Sequence, residues 1–180
     1  MASNLLVTKI LVFDFDKTLS NEDTYKKLNG DIDFKELFGG FEKVELLNKT
    51  FNKLNEKHYE IFIVTRNIEQ DIKKFCDTYF NKNTIRAVIG SKNDLDCNDS
   101  KLTSDENTQR WADKKAKIIN KIIDQYYGTK HVYFFDDTQA NTDTVKKHLP
   151  FVQCYLINTK PNKNYSYLEH TMKLLDGLIN

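Results

Sequence analysis

The chain has 180 residues, a length that fits one domain with a substantial apolar core. Charged residues make up 29% of it, yet 27 basic and 26 acidic residues leave a net charge of only +1, which excludes any bulk attraction to nucleic acid or to an anionic membrane. The three cysteines (Cys76, Cys97 and Cys154) are far apart, which indicates a reducing compartment. We expect a cytoplasmic protein without a signal peptide or membrane-spanning segment.

Short apolar runs alternate along the chain with longer segments of helical period, which is typical of an α/β protein with a parallel sheet. Helical period is strongest in four segments, near 41–54, 68–79, 111–126 and 165–178. Polar stretches at 19–40 and 91–110 interrupt this order. The apolar runs predict five strands, at 8–13, 61–65, 85–89, 131–135 and 151–157.

Polar side chains cluster where three of these strands end. Asp14 and Asp16 follow the first strand, Thr65 ends the second, and Asp136 and Asp137 follow the fourth. The carboxyl ends of parallel strands meet at one edge of a sheet, where four carboxylates would repel one another unless a divalent cation such as Mg²⁺ lay between them. One such pair alone could be a helix N-cap or a turn former. Two pairs at corresponding strand ends favour a metal site.

A lysine lies at the centre of the apolar face of the third predicted helix. At about 100° per residue, Lys115 falls in the middle of this face, whereas Lys114 and Lys117 fall on its flanks. A buried lysine needs an anionic partner, unless its stem covers apolar surface while its amine reaches water. The apolar face itself is formed by Trp111, Ile118, Ile119, Ile122 and Tyr126.

These residues resemble the four motifs of the haloacid dehalogenase-like (HAD) hydrolases, over about residues 8 to 157. The resemblance implies a Rossmann-like three-layer fold with a mostly parallel five-stranded sheet and no full cap domain, forming one phosphatase domain over 1–180. All four motifs occur in the family's order: DFDKT at 14–18, Thr65, Lys115 and DDTQAN at 136–141.

The resemblance also implies the chemistry of the acidic residues. Asp14 would be the nucleophile that forms an aspartyl-phosphate, and Asp16 the general acid and then the general base. Mg²⁺ would be held by the Asp14 carboxylate, the Asp16 backbone carbonyl and Asp137, with Asp136 helping directly or through water.

Phosphate binding would fall to three further residues. Thr65, Arg66 and Lys115 would contact the phosphoryl oxygens and stabilise charge in the transition state. Asn141 stands where many members have a second aspartate, so its role stays open between a metal-bound water and a hydrogen bond within the loop.

Substrate class is predicted from the lengths of the two polar stretches. Neither 19–40 nor 91–110 can hold a full cap, so we expect an open site that admits a protruding phosphate on a macromolecule. We expect a phosphoprotein (phosphotyrosine or phosphoserine/threonine) ahead of a nucleic acid, no membrane partner and a monomer. The alternatives are a polynucleotide or small-metabolite phosphatase, a non-catalytic binding module on the same fold, and a response-regulator receiver. The 91–110 stretch is expected to be a solvated loop.

Overall fold

The computed structural model describes residues 9–126, 129, 131–158 and 166–180. The first residue of the first predicted strand and the start of the last predicted helix lie outside these ranges. Within them the chain forms five strands: β1 (Lys9–Phe13), β2 (Tyr59–Ile68), β3 (Ala87–Ser91), β4 (His131–Asp136) and β5 (Gln153–Leu156).

Seven helices occur in the same described residues, and none of those helices is long and apolar enough to cross a membrane. They are α1 (Phe34–Phe38), α2 (Phe41–Glu56), α3 (Glu69–Tyr79), α4 (Asp94–Cys97), α5 (Ser104–Asp124), α6 (Gln139–His148) and α7 (Tyr167–Ile179).

All strand pairs are parallel, and the sheet order β3-β2-β1-β4-β5 places the first strand at its centre. Successive residues of β1 face opposite sides of the sheet. Leu11 and Phe13 pack into a core with α2, α3 and α7, while Ile10 and Val12 pack into a second core with α5 and α6. Helices therefore cover both faces, and the predicted three-layer α/β fold is confirmed.

Several element boundaries differ from the sequence prediction. Helix α5 begins at Ser104 and not at 111, because Thr103 and Glu106 form a reciprocal capping box ahead of the apolar period. Helices α1, α4 and α6 were not predicted, since they are short or rich in polar residues. Strand β2 is longer than predicted at both ends.

The carboxyl end of β2 contains an irregularity that shapes this edge of the sheet. Pairing with β3 runs regularly to Val64, shifts register, and resumes only at Ile68. A Cβ atom on Gly90 of β3 would lie 2.7 Å from the backbone oxygen of Asn67, so a side chain there would collide with the irregular segment. The close approach of the two strands sets the course of residues 65–67.

Candidate active site

A buried ion-pair cluster joins the central strand, its neighbour β4 and helix α5. The Lys115 ammonium lies 2.8 Å from Asp14 Oδ1 and 2.6 Å from Asp136 Oδ2. Lys115 is 1% exposed and Asp136 is fully buried. The Asp14 backbone N–H donates to the Phe135 carbonyl at 2.8 Å, which ties the end of β1 to the end of β4. The predicted position of Lys115 on the buried face of its helix is confirmed.

Asp136 has hydrogen-bond partners on both carboxylate oxygens. Its Oδ2 faces Lys115, while its Oδ1 accepts from the Thr138 backbone N–H at 2.9 Å and from Asn141 Nδ2 at 2.8 Å. Asp137, next in the chain, is only half-buried and lines an open cleft. The adjacent aspartates therefore differ: Asp136 is held inside the protein, and Asp137 is available to a ligand.

The donor set in this cluster fits a hard divalent cation. Asp14, Asp136 and Asp137 each offer one carboxylate oxygen, and these oxygens lie within 4.8 Å of one another. Three carboxylates and one ammonium leave two negative charges, which one divalent cation neutralises. The Asn141 Oδ1 atom is buried without a hydrogen-bond partner among the described residues, so it is a spare acceptor for the cation or its water.

Asp14 and Asp137 favour protonation more than ordinary aspartates do. Burial raises the pKa of Asp14 well above its usual value, an effect that Lys115 opposes and the neighbouring carboxylates reinforce. Burial, with Asp136 adding to it, raises the pKa of Asp137 to about 6. Burial alone would lower the pKa of Lys115, but Asp136 and Asp14 outweigh it and raise that pKa. The raised pKa values of Asp14 and Asp137 come mainly from burial and in smaller part from repulsion between carboxylates, and a bound cation would oppose both effects.

Asp16 belongs to a separate hydrogen-bond network that reaches the loop after β1. Its Oδ1 accepts from the Thr24 backbone N–H at 2.8 Å and from the Thr24 hydroxyl at 2.5 Å. Its Oδ2 accepts from Asn67 Nδ2 at 3.2 Å, and the same amide group lies 3.0 Å from Thr24 Oγ1. Burial raises the pKa of Asp16, and the hydrogen bonds from Thr24 and Asn67 oppose that shift.

Thr65 and Arg66 lie in the irregular end of β2. The Thr65 side chain is fully buried and accepts the Asn67 N–H at 3.1 Å; in the described chain it forms no hydrogen bond to Asp14 or Lys115. Arg66 lines the cleft together with Asp14, Asp16, Lys115 and Asp137. Phosphate contacts by Thr65 and Arg66 stay predictions.

The polar stretch 91–110, expected to be a solvated loop, packs beside the site. Trp111 Nε1 donates to the backbone oxygens of Asp96 and Cys97, each at 3.2 Å. Lys114 pairs with Asp96 at 2.8 Å and lies over the Trp111 ring. More than half of the described residues in this stretch are exposed, as expected, but the stretch is not a loop throughout, because it contains α4 and the start of α5 and these contacts anchor it beside the site.

Sequence reasoning missed two buried residues of the site, Thr24 and Asn67. Thr24 lies in a polar stretch with no apolar periodicity, so nothing in the pattern marked it as buried. Asn67 follows Thr65 by two residues at a strand end, which is a signal that could have drawn attention to it.

Comparison with known proteins places this geometry in a structural class. No family model matches the sequence, and no curated protein matches it significantly. A substrate-bound phosphoserine phosphatase has a similar structure, with 16% identity, a TM-score of 0.57, and coverage of 96% of this chain and 99% of that one.

Two further solved structures are similar. The HAD domain of effector protein Lem4 from Legionella pneumophila has 13% identity and a TM-score of 0.50, and 94% of each chain is covered. The N-terminal part of BF1531 from Bacteroides fragilis, containing a phosphatase domain and complexed with Mg, has 17% identity and a TM-score of 0.52. That match covers 93% of this chain but only 40% of the other. The chain therefore has the haloacid dehalogenase-like fold that its four motifs predicted.

Proposed function

We propose that this chain is a Mg²⁺-dependent phosphomonoester hydrolase that works through an aspartyl-phosphate and acts on a phosphoprotein. The observation that carries the proposal is the Lys115 ammonium between Asp14 and Asp136, buried beside the half-exposed Asp137 at the carboxyl edge of the sheet. The phosphatase folds of the similar structures support the same reaction class.

The first step would form a bond between Asp14 and phosphorus. A carboxylate oxygen of Asp14 attacks the phosphoryl group, the bond to the leaving oxygen breaks, and a proton from Asp16 goes to that oxygen. The raised pKa of Asp16 suits it to carry this proton, and Thr24 and Asn67 hold the carboxyl group in place.

The second step would return the enzyme to its starting state. Asp16, now ionised, takes a proton from water; the water oxygen attacks phosphorus and the Asp14 carboxylate leaves, which releases inorganic phosphate. One ester and one water are consumed, and one alcohol and one phosphate are formed.

Charge in both steps would be balanced by fixed positive groups. Lys115 neutralises the Asp14 carboxylate in the resting state and the phosphoryl oxygens in the transition state, and Arg66 adds a guanidinium at the cleft wall. Asp14 and Asp137 would hold Mg²⁺, with Asp136 and the free oxygen of Asn141 next to it. When bound, Mg²⁺ supplies the charge that lets a phosphate dianion approach the carboxylates.

A phosphoprotein substrate is supported by the openness of the cleft. No further domain is inserted between the elements in the described ranges, so the residues over the site are the loop after β1 and the short segment around α4. A small metabolite would find few contacts beyond its phosphate, whereas a peptide could contact both segments. A non-catalytic binding module on the same fold would be expected to lack a catalytic group, yet the candidate nucleophile, general acid and lysine are all present. A monomer in the cytoplasm remains our expectation.

The proposal is tested by trapping the intermediate on phosphopeptides in the presence of Mg²⁺. Acid-quenched enzyme, reduced with borohydride, should contain homoserine in place of Asp14 on mass spectrometry. Asp14→Asn should give no reduced product, while Asp77→Asn, a change at an exposed position on α3, should behave as wild type. Turnover without any trapped residue, or undiminished turnover in excess chelator, would contradict the proposed mechanism.

A further inference from the structure

The open site consists of two adjoining cavities. The cleft that contains Asp14 and Lys115 has a volume of about 280 Å³, and a second cavity beside it has about 340 Å³. Asp16, Asp23 and Arg66 line both. We propose that the second cavity, the side cavity, binds the leaving group of the substrate, and that it selects a peptide with a basic residue next to the phosphorylated one. This inference rests on the proposed phosphatase function.

The position of Asp16 is the reason to assign the side cavity to the leaving group. Asp16 must contact the leaving oxygen to give it a proton, and Thr24 and Asn67 fix its carboxyl group between the two cavities. A phosphoryl group at Asp14 therefore directs its ester oxygen towards Asp16. What is attached to that oxygen then continues into the side cavity.

The walls of the side cavity are held in place by contacts between distant parts of the chain. Arg66 Nε donates to the Cys97 backbone oxygen at 2.7 Å, and a terminal guanidinium nitrogen donates to Asn98 Oδ1 at 2.8 Å. The hydroxyl of Tyr25, which also lines the side cavity, donates to Asp94 of α4 at 2.5 Å. The loop after β1 and the segment around α4 thus form one continuous rim, with side chains suited to hydrogen bonds with a peptide.

The two cavities differ in their cations. Lys17 and Lys115 line only the cleft, where a phosphoryl group would lie. Among the described residues that line the side cavity, Arg66, which it shares with the cleft, is the one cation, and it faces the carboxylates of Asp16 and Asp23. A second phosphate in the side cavity, as in a polynucleotide, would meet these carboxylates without a lysine to balance them, so the charge favours a peptide.

Asp23 is the residue best placed to recognise a basic neighbour. It is exposed, and in the part of the chain described here it forms no ion pair. The nearby Lys27 is paired with Glu36 at 2.8 Å. Glu22, its exposed neighbour, lines neither cavity and so provides a matched control.

The test compares kcat/KM on three phosphopeptides that differ only in the residue after the phosphorylated one: Lys, Ala or Glu. The three peptides are made once with phosphotyrosine and once with phosphoserine as the phosphorylated residue. Wild type should favour Lys over Glu by about threefold, the size expected of an exposed charge pair, and high salt should reduce the preference. Asp23→Asn should bring the ratio close to one, whereas Glu22→Gln should keep it.

The outcomes separate this inference from the proposed function. Equal rates on the Lys and Glu peptides in wild type, or an unchanged ratio in Asp23→Asn, would overturn the leaving-group assignment while leaving the phosphatase in place. A 3′-phosphorylated oligonucleotide hydrolysed faster than every peptide would also overturn it. No turnover of any phosphate ester by wild type would instead contradict the proposed function itself.

Discussion

The ammonium of Lys115 lies 2.6 Å from Asp136 Oδ2, and both side chains are almost completely buried. The same ammonium reaches Asp14 at 2.8 Å, so one positive charge stabilises two buried carboxylates. Removing it takes away the positive charge that both carboxylates share, and a buried charge without a counter-charge costs more free energy than a buried pair.

Lys115→Met should therefore lower the free energy of unfolding by about 3–5 kcal/mol at neutral pH without metal, and abolish activity. Lys117 lies on the exposed side of the same helix, so Lys117→Met should change the free energy of unfolding by less than about 0.5 kcal/mol. Urea unfolding of both variants measures the difference. Wild-type stability in Lys115→Met would show that the ion pairs are not structural.

If Asp14 is the nucleophile, as we propose, Asp14→Asn should lower kcat by at least about ten-thousandfold, because an amide cannot replace the carboxylate in the attack on phosphorus. The fold should persist, since Asn has nearly the same shape and relieves repulsion between carboxylates. Steady-state kinetics and circular dichroism check the two parts. Residual activity within tenfold of wild type would place the nucleophile elsewhere.

Mg²⁺ should stabilise the protein more as pH rises through about 6. Burial, with a smaller contribution from the charge of Asp136, raises the pKa of Asp137 to about 6. A carboxylate must lose its proton before it binds a cation. The shift in Tm caused by a fixed Mg²⁺ concentration should be small near pH 5 and larger near pH 7.5. A shift independent of pH would argue against Asp137 as a ligand.

Without metal, Asp137 should make stability depend on pH in the opposite direction. Its folded pKa of about 6 exceeds the ordinary value of about 3.9, so the folded state binds more protons between these values. The contribution of Asp137 to stability should fall as pH rises from about 4 to about 6 and then level off. Asp137→Asn should remove this component, which chemical denaturation at several pH values would measure. Identical pH profiles for variant and wild type would contradict it.

Thr24→Val should affect substrates according to their leaving groups. The valine keeps the shape of the threonine but removes the hydroxyl that lies 2.5 Å from Asp16, so Asp16, the proposed general acid, loses one of its hydrogen bonds. Hydrolysis of an alkyl phosphate, which needs the proton, should slow by about tenfold, and 4-nitrophenyl phosphate, which scarcely needs it, by less. Thr24→Ser should restore the alkyl rate. Equal losses on both substrates would indicate a purely structural role.

Two Gly→Ala changes should have opposite effects on the stability of the protein. At Gly90 the new methyl group would lie 2.7 Å from the Asn67 backbone oxygen, so the backbone must shift, at a cost of about 1–3 kcal/mol, and activity should fall through Asn67 and Asp16. At Gly177, inside α7, no atom of the described residues would lie within 4 Å of the new methyl group, so alanine should stabilise the helix by about 0.5–1 kcal/mol. Thermal unfolding compares the two, and a neutral Gly90→Ala would mean that the strands can separate without loss.

The sequence was most informative where burial and periodicity coincide. β1 is apolar on both faces and is followed by two aspartates, and the apolar periodicity of α5 alone predicted that Lys115 lies on the buried face. Helix α6 could not be predicted in the same way, because its buried positions include Asn141, Thr142 and Thr144, which carry no apolar signal. Its position comes from packing against α5 and β4.

The Asp16 network was also beyond the reach of the sequence. Asn67 and Thr24 are 43 residues apart, and each is an ordinary loop or strand-end residue in its local context. Their contact depends on the irregular end of β2, which in turn depends on the close approach of Gly90. The contact between Thr24 and Asn67, the irregular end of β2 and the close approach of Gly90 arise only in the folded protein, so no local sequence pattern indicates them.

The central position of β1 also determines the order in which the site can be assembled during synthesis. β1 is made first, yet one of its two neighbours, β4, begins only at His131. Until then one edge of an apolar strand has no partner and can pair with other chains. Fragments that stop before β4 should therefore aggregate, and Asp14 can meet Asp136 only after the ribosome has passed β4. The candidate site is therefore complete only after β4 has paired with β1, so activity would indicate that this pairing has formed.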